Sequence, residues 1–288
     1  MRFSRLILIA FLCGLFTSGQ NVWAWGLTGH RIVGGIAQKH ISSVTSKKLS
    51  KVLSGYQLQD VGNWADEIKS DKNTFSRSLR KWHYVELSND AMLDQPADLN
   101  HWPGDLYHAL EYVIARLTDR TFDQDLTEEV LIRLLVHLVG DAHQPLHVGN
   151  GRDYGGNTCY IRWFNSKWTM SLHSVWDNKL IDVYKLSYSE YVDYLNHVNA
   201  QQVVKWQRSA VKDWLLESYR LHPLIYPSEK GLVPGDYCVK NRSLLQQSKI
   251  PNLGFSYQYK VRPILNQRLL QAGIRLAGVL NQIYDSKG

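Results

Sequence analysis

The chain has 288 residues, 44% of them hydrophobic, which is enough to bury one sizeable core, and its formal net charge is +7. No low-complexity linker, charge block or internal repeat divides it, which argues against a multidomain or disordered chain; the mild basicity fits polyanions such as nucleic acid or anionic lipid without selecting either. Three cysteines are too few and too scattered for a cysteine zinc motif.

Arg2 and Arg5 precede an apolar run from Leu6 to Phe16, and Val22-Trp23-Ala24 offers a small-residue cleavage site. Residues 1–24 therefore read as a secretory signal and residues 25–288 as one mature domain. Loss of Arg2 and Arg5 lowers the formal charge from +7 to +5. The run is too short to span a bilayer, no later stretch is apolar enough to do so, and bulky Phe11-Leu12 disfavours a lipid anchor at Cys13. The expected location is secreted or periplasmic. In such an oxidising compartment Cys159 and Cys238 could form a disulfide, which the sequence leaves undecided.

Apolar residues recur at helical spacing in Ile32-Val33-Ile36-Ala37, Leu110-Val113-Ile114-Leu117, Val130-Leu134-Leu138 and Ile264-Leu269-Ile274-Leu276-Leu280. The fold class expected is mainly α, in a single domain. Cys159 to Phe164, following the turn residues Gly155-Gly156-Asn157, predicts one side of a short β-hairpin. Residues 223–254, with Pro223, Pro227, Pro234 and Pro251, predict a loop-rich stretch wrapping the helical core.

The densest chemical signal is the segment from Val136 to His147. His137 and Asp141 are four apart, so a helix points both to one face, close enough to share a metal ion; Pro145 then ends the helix and lets His147 turn back. Taken alone such a pair is more often a surface hydrogen bond, but the spacing recurs at His173 and Asp177 beside Trp176. Asp66 follows Trp64 in Asn63-Trp64-Ala65-Asp66, and His83 follows Trp82: polar groups of metal-ligand type set among apolar ones. Each can equally be a satisfied core residue.

Taken in order, Trp25 to His30, Asn63 to Asp66, Trp82-His83, His137 to Asp141, Gln144-Pro145-Leu146-His147 and His173 to Asp177 resemble the zinc-dependent, single-strand-specific nucleases of the S1/P1 family. Ala272-Gly273-Ile274-Arg275-Leu276-Ala277 resumes the resemblance in the last helix. The resemblance implies a helical phospholipase C/P1 nuclease-like fold and three zinc ions. Asp66, His83, His137 and Asp141 would hold the first; the free amine and carbonyl of Trp25, with His30 and Asp141, the second; His147, His173 and Asp177 the third. Because an amine inside a peptide bond cannot ligate zinc, removal of residues 1–24 would complete the site.

Further roles follow from the same resemblance. Asp66 and Asp141 serve catalysis through the ions they hold, Lys69 contacts the phosphate, and Glu86 orients Lys69. Tyr84 stacks a nucleobase, with Tyr154 and Gly155-Gly156-Asn157 at the opposite wall. The expected activity is hydrolysis of single-stranded DNA and RNA to 5′-phosphate products, with removal of 3′-phosphate from nucleotides, by a monomer without stable membrane association. Zinc-dependent phospholipases C share the N-terminal tryptophan ligand and the three-zinc arrangement. The pairing of His173 with Asp177, where phospholipases carry glutamate, and the Gly155-Gly156-Asn157 loop favour the nuclease. A non-catalytic exported zinc-binding protein would have no use for Lys69 or a stacking aromatic. His143 carries no ligand role and is expected to hydrogen-bond behind the ligands; His40, His101, His108, His197 and His222 are expected to be surface or satisfied histidines.

Overall fold

Side-chain caps set several of the helix starts in the computed structural model, which describes residues 25–89, 93, 98, 101–228 and 231–285. The segment read as a signal, residues 1–24, lies outside the described residues. Thr127 accepts from the Val130 N–H at 3.3 Å, and Glu128 and Glu129 occupy the first turn of the helix Glu128–His143, where its dipole favours acids. That helix stops where Gln144 turns extended (ψ 113°) ahead of Pro145, as the residue before a proline must. Pro145–His147 then forms a single 3-10 turn. Asp105 caps Leu106–Asp119 through the His108 N–H at 3.0 Å, and Ser187 with Glu190 forms a capping box for Tyr188–Leu195.

The N-terminal helix Leu27–His40 packs against the C-terminal helix Phe255–Asp285, which also lies along Glu128–His143; Leu106–Asp119 covers another side of that central helix. Each of the four periodic apolar stretches falls inside one of these helices, and Ile32, Val33, Ile36, Leu134, Leu138, Leu269 and Leu276 are fully buried. At about 1.5–3 kcal/mol for each buried large aliphatic side chain, this interior is what holds the helices together. The fold is mainly α, as the periodicity predicts.

Strand structure is sparse. Tyr160–Trp163 pairs antiparallel with Thr169–Ser171, which is the expected hairpin, and parallel with Asn252–Leu253, which has no local sequence signal. Cys159 and Cys238 are disulfide-bonded, tying the hairpin to the proline-rich stretch. A second pairing, Val85–Glu86 parallel to Val148–Gly149, sets His83 and His147 side by side just before the two strands.

Candidate metal centre

Five elements converge on one buried centre: the N-terminal helix brings His30, the short helix Trp64–Glu67 brings Asp66, a 3-10 turn at Leu79–His83 brings His83, and Glu128–His143 brings His137 and Asp141, followed by the turn that carries His147. His173 and Asp177 come from the segment after the hairpin, where the backbone widens into a π turn over Val175–Lys179. Such turns recur at functional sites. All eight side chains are at most 3% exposed.

They form three groups. His30, His137 and Asp141 meet with His30 Nε2 3.5 Å and His137 Nε2 3.3 Å from Asp141, and the His30 and His137 rings stack at 3.8 Å. Asp66, His83 and His137 form the second group, with His83 Nδ1 3.0 Å from His137 Nε2 and 3.1 Å from Asp141 Oδ2. In the third, His147 Nε2 and His173 Nε2 lie 3.5 and 3.2 Å from the Asp177 carboxylate. A fourth group, Asp153 with Cys159 and Cys238, has its sulfurs committed to the disulfide.

The donor set fits metal ions. His137 Nδ1 faces Gly62 O at 2.8 Å, His147 Nδ1 faces His83 O at 2.6 Å and His173 Nδ1 faces Gly155 O at 2.6 Å. Each such bond places the proton on Nδ1 and turns the Nε2 lone pair into the centre. The Nε2 atoms of His30, His83, His147 and His173 are buried without a hydrogen-bond partner, as are Asp66 Oδ2 and Asp141 Oδ1. Buried acceptors left facing one another are costly, and a bound cation satisfies them together.

Electrostatics agree. Burial drives His30 well below its ordinary range, carries His83 down to about 4 with help from Lys69, and lowers His173. Burial acts the same way on His147, but Asp141 and Asp177 outweigh it and hold that ring up at about 9. Burial would raise Asp141, yet His137 and His147 pull it well below the usual carboxylate range. Without a bound cation Asp66 and Asp141 are ionised and His147 carries a second proton, on Nε2, at neutral pH, so a divalent cation has to displace that proton. Metal affinity therefore rises with pH, and uptake releases protons.

The other sequence-singled residues divide. Trp25 is fully buried beside the first group, its Cβ 2.7 Å from where a side chain on Gly29 would begin, and the Gly26 N–H donates to Asp177 O at 2.7 Å. A Cβ on Gly140 would stand 2.7 Å from His30 Nδ1, so the bare backbone there admits the histidine. Lys69 pairs with Asp66 at the rim. Among the described residues Lys69 and Glu86 form no ion pair. Glu86 instead accepts the Gly151 N–H at 2.7 Å and fills the space beside Gly149, drawn there by the strand it belongs to, and burial pushes its carboxyl up. Tyr84 and Tyr154 are 46% and 58% exposed, and Lys240 Nζ stands 5.2 Å from the centre of the Tyr154 ring.

In the Gly155-Gly156-Asn157 loop Gly155 O orients His173, the Gly156 N–H donates to Asp153 Oδ1 at 2.8 Å, and the half-buried Asn157 donates from Nδ2 to Tyr154 O at 2.8 Å. Gly155 has φ +59°, and a Cβ there would lie 2.0 Å from Leu146 O. Gly155→Ala should destabilise the fold by about 2 kcal/mol or more, read as a lowered Tm, since it meets both left-handed strain and a backbone clash. His143, expected to bond behind the ligands, is buried with Nδ1 2.7 Å from Val139 O and Nε2 2.9 Å from Arg275, and these contacts lie away from the ligands. Sequence reasoning missed Gln144, whose Nε2 donates to Asp177 Oδ1 at 2.7 Å while Oε1 accepts the Leu146 N–H at 2.6 Å, linking the two halves of the third group.

The family model described as S1/P1 Nuclease matches residues 25–285. The chain belongs to the S1/P1 nuclease family. Among curated relatives of this S1/P1 nuclease, Endonuclease 4 of Arabidopsis thaliana is 30% identical over 289 residues, covering 91% of this chain and 90% of the relative. Endonuclease 2 of the same plant is 28% identical over 302 residues, covering 97% of each chain. Nuclease S1 of Aspergillus oryzae is 26% identical over 278 residues, covering 92% of this chain and 93% of the relative. The matched span opens at Trp25 and takes in all three His/Asp groups. No helix of the described residues is long and apolar enough to cross a membrane.

Proposed function

We propose that this S1/P1 nuclease is an exported, monomeric endonuclease that uses three zinc ions to hydrolyse single-stranded DNA and RNA to 5′-phosphate products, and that it also removes 3′-phosphate from nucleotides. The observation that carries the reading is the set of unpaired imidazole nitrogens and carboxylate oxygens facing one another in a single buried centre. Asp66, His83, His137 and Asp141 would hold one ion, His30 and Asp141 with the Trp25 terminus a second, and His147, His173 and Asp177 the third. Bound zinc supplies water activation near neutral pH and neutralises charge on the phosphate oxygens.

The chain's own groups add binding and orientation. Lys69, fixed by Asp66 with its side chain 24% exposed, offers a cation to an incoming phosphodiester from the rim. Tyr84, next to His83 and anchored by the Leu106 N–H donating to its carbonyl at 2.9 Å, offers a ring face to an unpaired base. Stacking accepts any base and needs a single strand, which supports single-strand preference with little sequence selectivity. Tyr84→Ala should raise KM on an oligonucleotide about tenfold, the equivalent of roughly 1.4 kcal/mol, while kcat stays within about threefold. A kcat loss without a KM change would remove Tyr84 from the binding role.

The deciding experiment is hydrolysis of single-stranded DNA, RNA and phosphatidylcholine by the chain beginning at Trp25, each with chelator and with zinc restored. Chelator-sensitive cleavage of nucleic acid alone supports the proposal. Cleavage of the lipid alone moves the protein to the phospholipase branch, and a fully zinc-loaded chain that cleaves nothing points to a binding role.

A further inference from the structure

The turn that carries His147 and the loop that orients His173 both rest on one short piece of the proline-rich stretch, the helix His222–Ile225 and the residue that ends it, Tyr226. His222 is 9% exposed, and burial lowers its pKa, so the ring is neutral; its Nε2–H donates to Pro145 O at 3.0 Å, at the start of the turn that ends in His147. Tyr226, 6% exposed, donates its hydroxyl to Asp153 Oδ2 at 2.8 Å. Asp153 is 4% exposed and folds the next loop: Oδ1 accepts the Gly156 N–H at 2.8 Å, Oδ2 also accepts from Asn150 Nδ2 at 2.9 Å, and its carbonyl accepts the Thr158 N–H at 3.2 Å. That loop places Gly155 O, the acceptor that fixes the His173 tautomer.

We infer that His222 and Tyr226 are positioning residues that set the affinity of the third zinc ion alone, His222 through the His147 turn and Tyr226 through Asp153 and the Gly155 carbonyl. The two rings stand 5.6 Å apart on one element, so a single short helix braces both histidine ligands of one group. The first two groups draw their ligands from other elements: the N-terminal helix, Trp64–Glu67, Leu79–His83 and the central helix. Partners that orient a ligating histidine commonly contribute about 10–100-fold to metal affinity.

The inference rests on the three-zinc reading, and the test separates the two. Zinc per chain is measured during titration with a competing chelator for the wild type, Tyr226→Phe, His222→Leu and His222→Gln, alongside Tm. The expected result is that Tyr226→Phe and His222→Leu each release one ion at about tenfold lower chelator concentration than the wild type, the other two ions being held as before, and that His222→Gln, which keeps a side-chain N–H, restores the third. A lowered Tm with all ions retained, or with all ions lost together, would mean a merely structural role and overturns the inference. A wild type that holds fewer than three ions overturns the zinc reading instead.

Discussion

Asp141→Asn should leave the purified chain with one tightly held zinc and lower turnover on single-stranded DNA by about a thousandfold or more. Asp141 is the carboxylate on which two groups lean: its oxygens lie 3.1 Å from His83, 3.3 Å from His137 and 3.5 Å from His30. An amide in its place keeps the volume but removes the charge that lets two cations sit close together, and it turns an N–H donor toward rings whose lone pairs face inward. Losing the paired ions removes several kcal/mol of charge stabilisation in the transition state; about 4 kcal/mol corresponds to about a thousandfold. The third group, built on Asp177, should keep its ion. Metal content and kcat on the same preparation check this, and normal values of both would refute the shared role of Asp141.

The second large effect concerns the chain's beginning. A protein that retains even one residue ahead of Trp25 should bind one zinc fewer than the chain beginning at Trp25, with turnover lower by about a hundredfold, because an amide nitrogen has no lone pair to give a metal. Trp25 is fully buried, and the hydrogen bond from the Gly26 N–H to Asp177 O binds the start of the chain to the third group. Proteolytic trimming back to Trp25 should restore both zinc and turnover; an extended protein with full activity would exclude the terminus as a ligand.

What the sequence makes legible depends on how local the cause is. The helices were readable because one-sided burial writes a 3.6-residue period, as in Val130-Leu134-Leu138. His137 with Asp141 and His173 with Asp177 were visible as pairs because one helical turn brings them together. Asp66 and His83 became candidates for the same ion only through the resemblance, since separate elements deliver them. His143 shows how a dense motif misleads: two residues beyond Asp141 is about 200° around a helix, so its side chain points to Arg275 and away from the metals. The contact of Glu86 with Gly151 and the parallel strand Asn252–Leu253 both depend on long-range placement that no spacing encodes. The contacts of His222, which is the satisfied histidine expected, and of Tyr226 depend on placement of the same kind.

The packing of the C-terminal helix on the N-terminal one bears on how the centre comes into being. Asn281 Nδ2 donates to His40 O at 3.2 Å across 241 positions of sequence, and its Oδ1 accepts the Ser42 N–H at 2.9 Å. The helix that delivers His30 thus receives its main packing partner only when residues 255–285 have been made. At about 5–20 residues per second, that is on the order of 10–50 s after the helix itself. Contacts of such long separation form late in folding. A chain lacking residues 255–285 therefore carries every one of the eight histidine and aspartate ligands yet lacks the wall that gathers them, so tight zinc capture depends on a helix that supplies none of those eight.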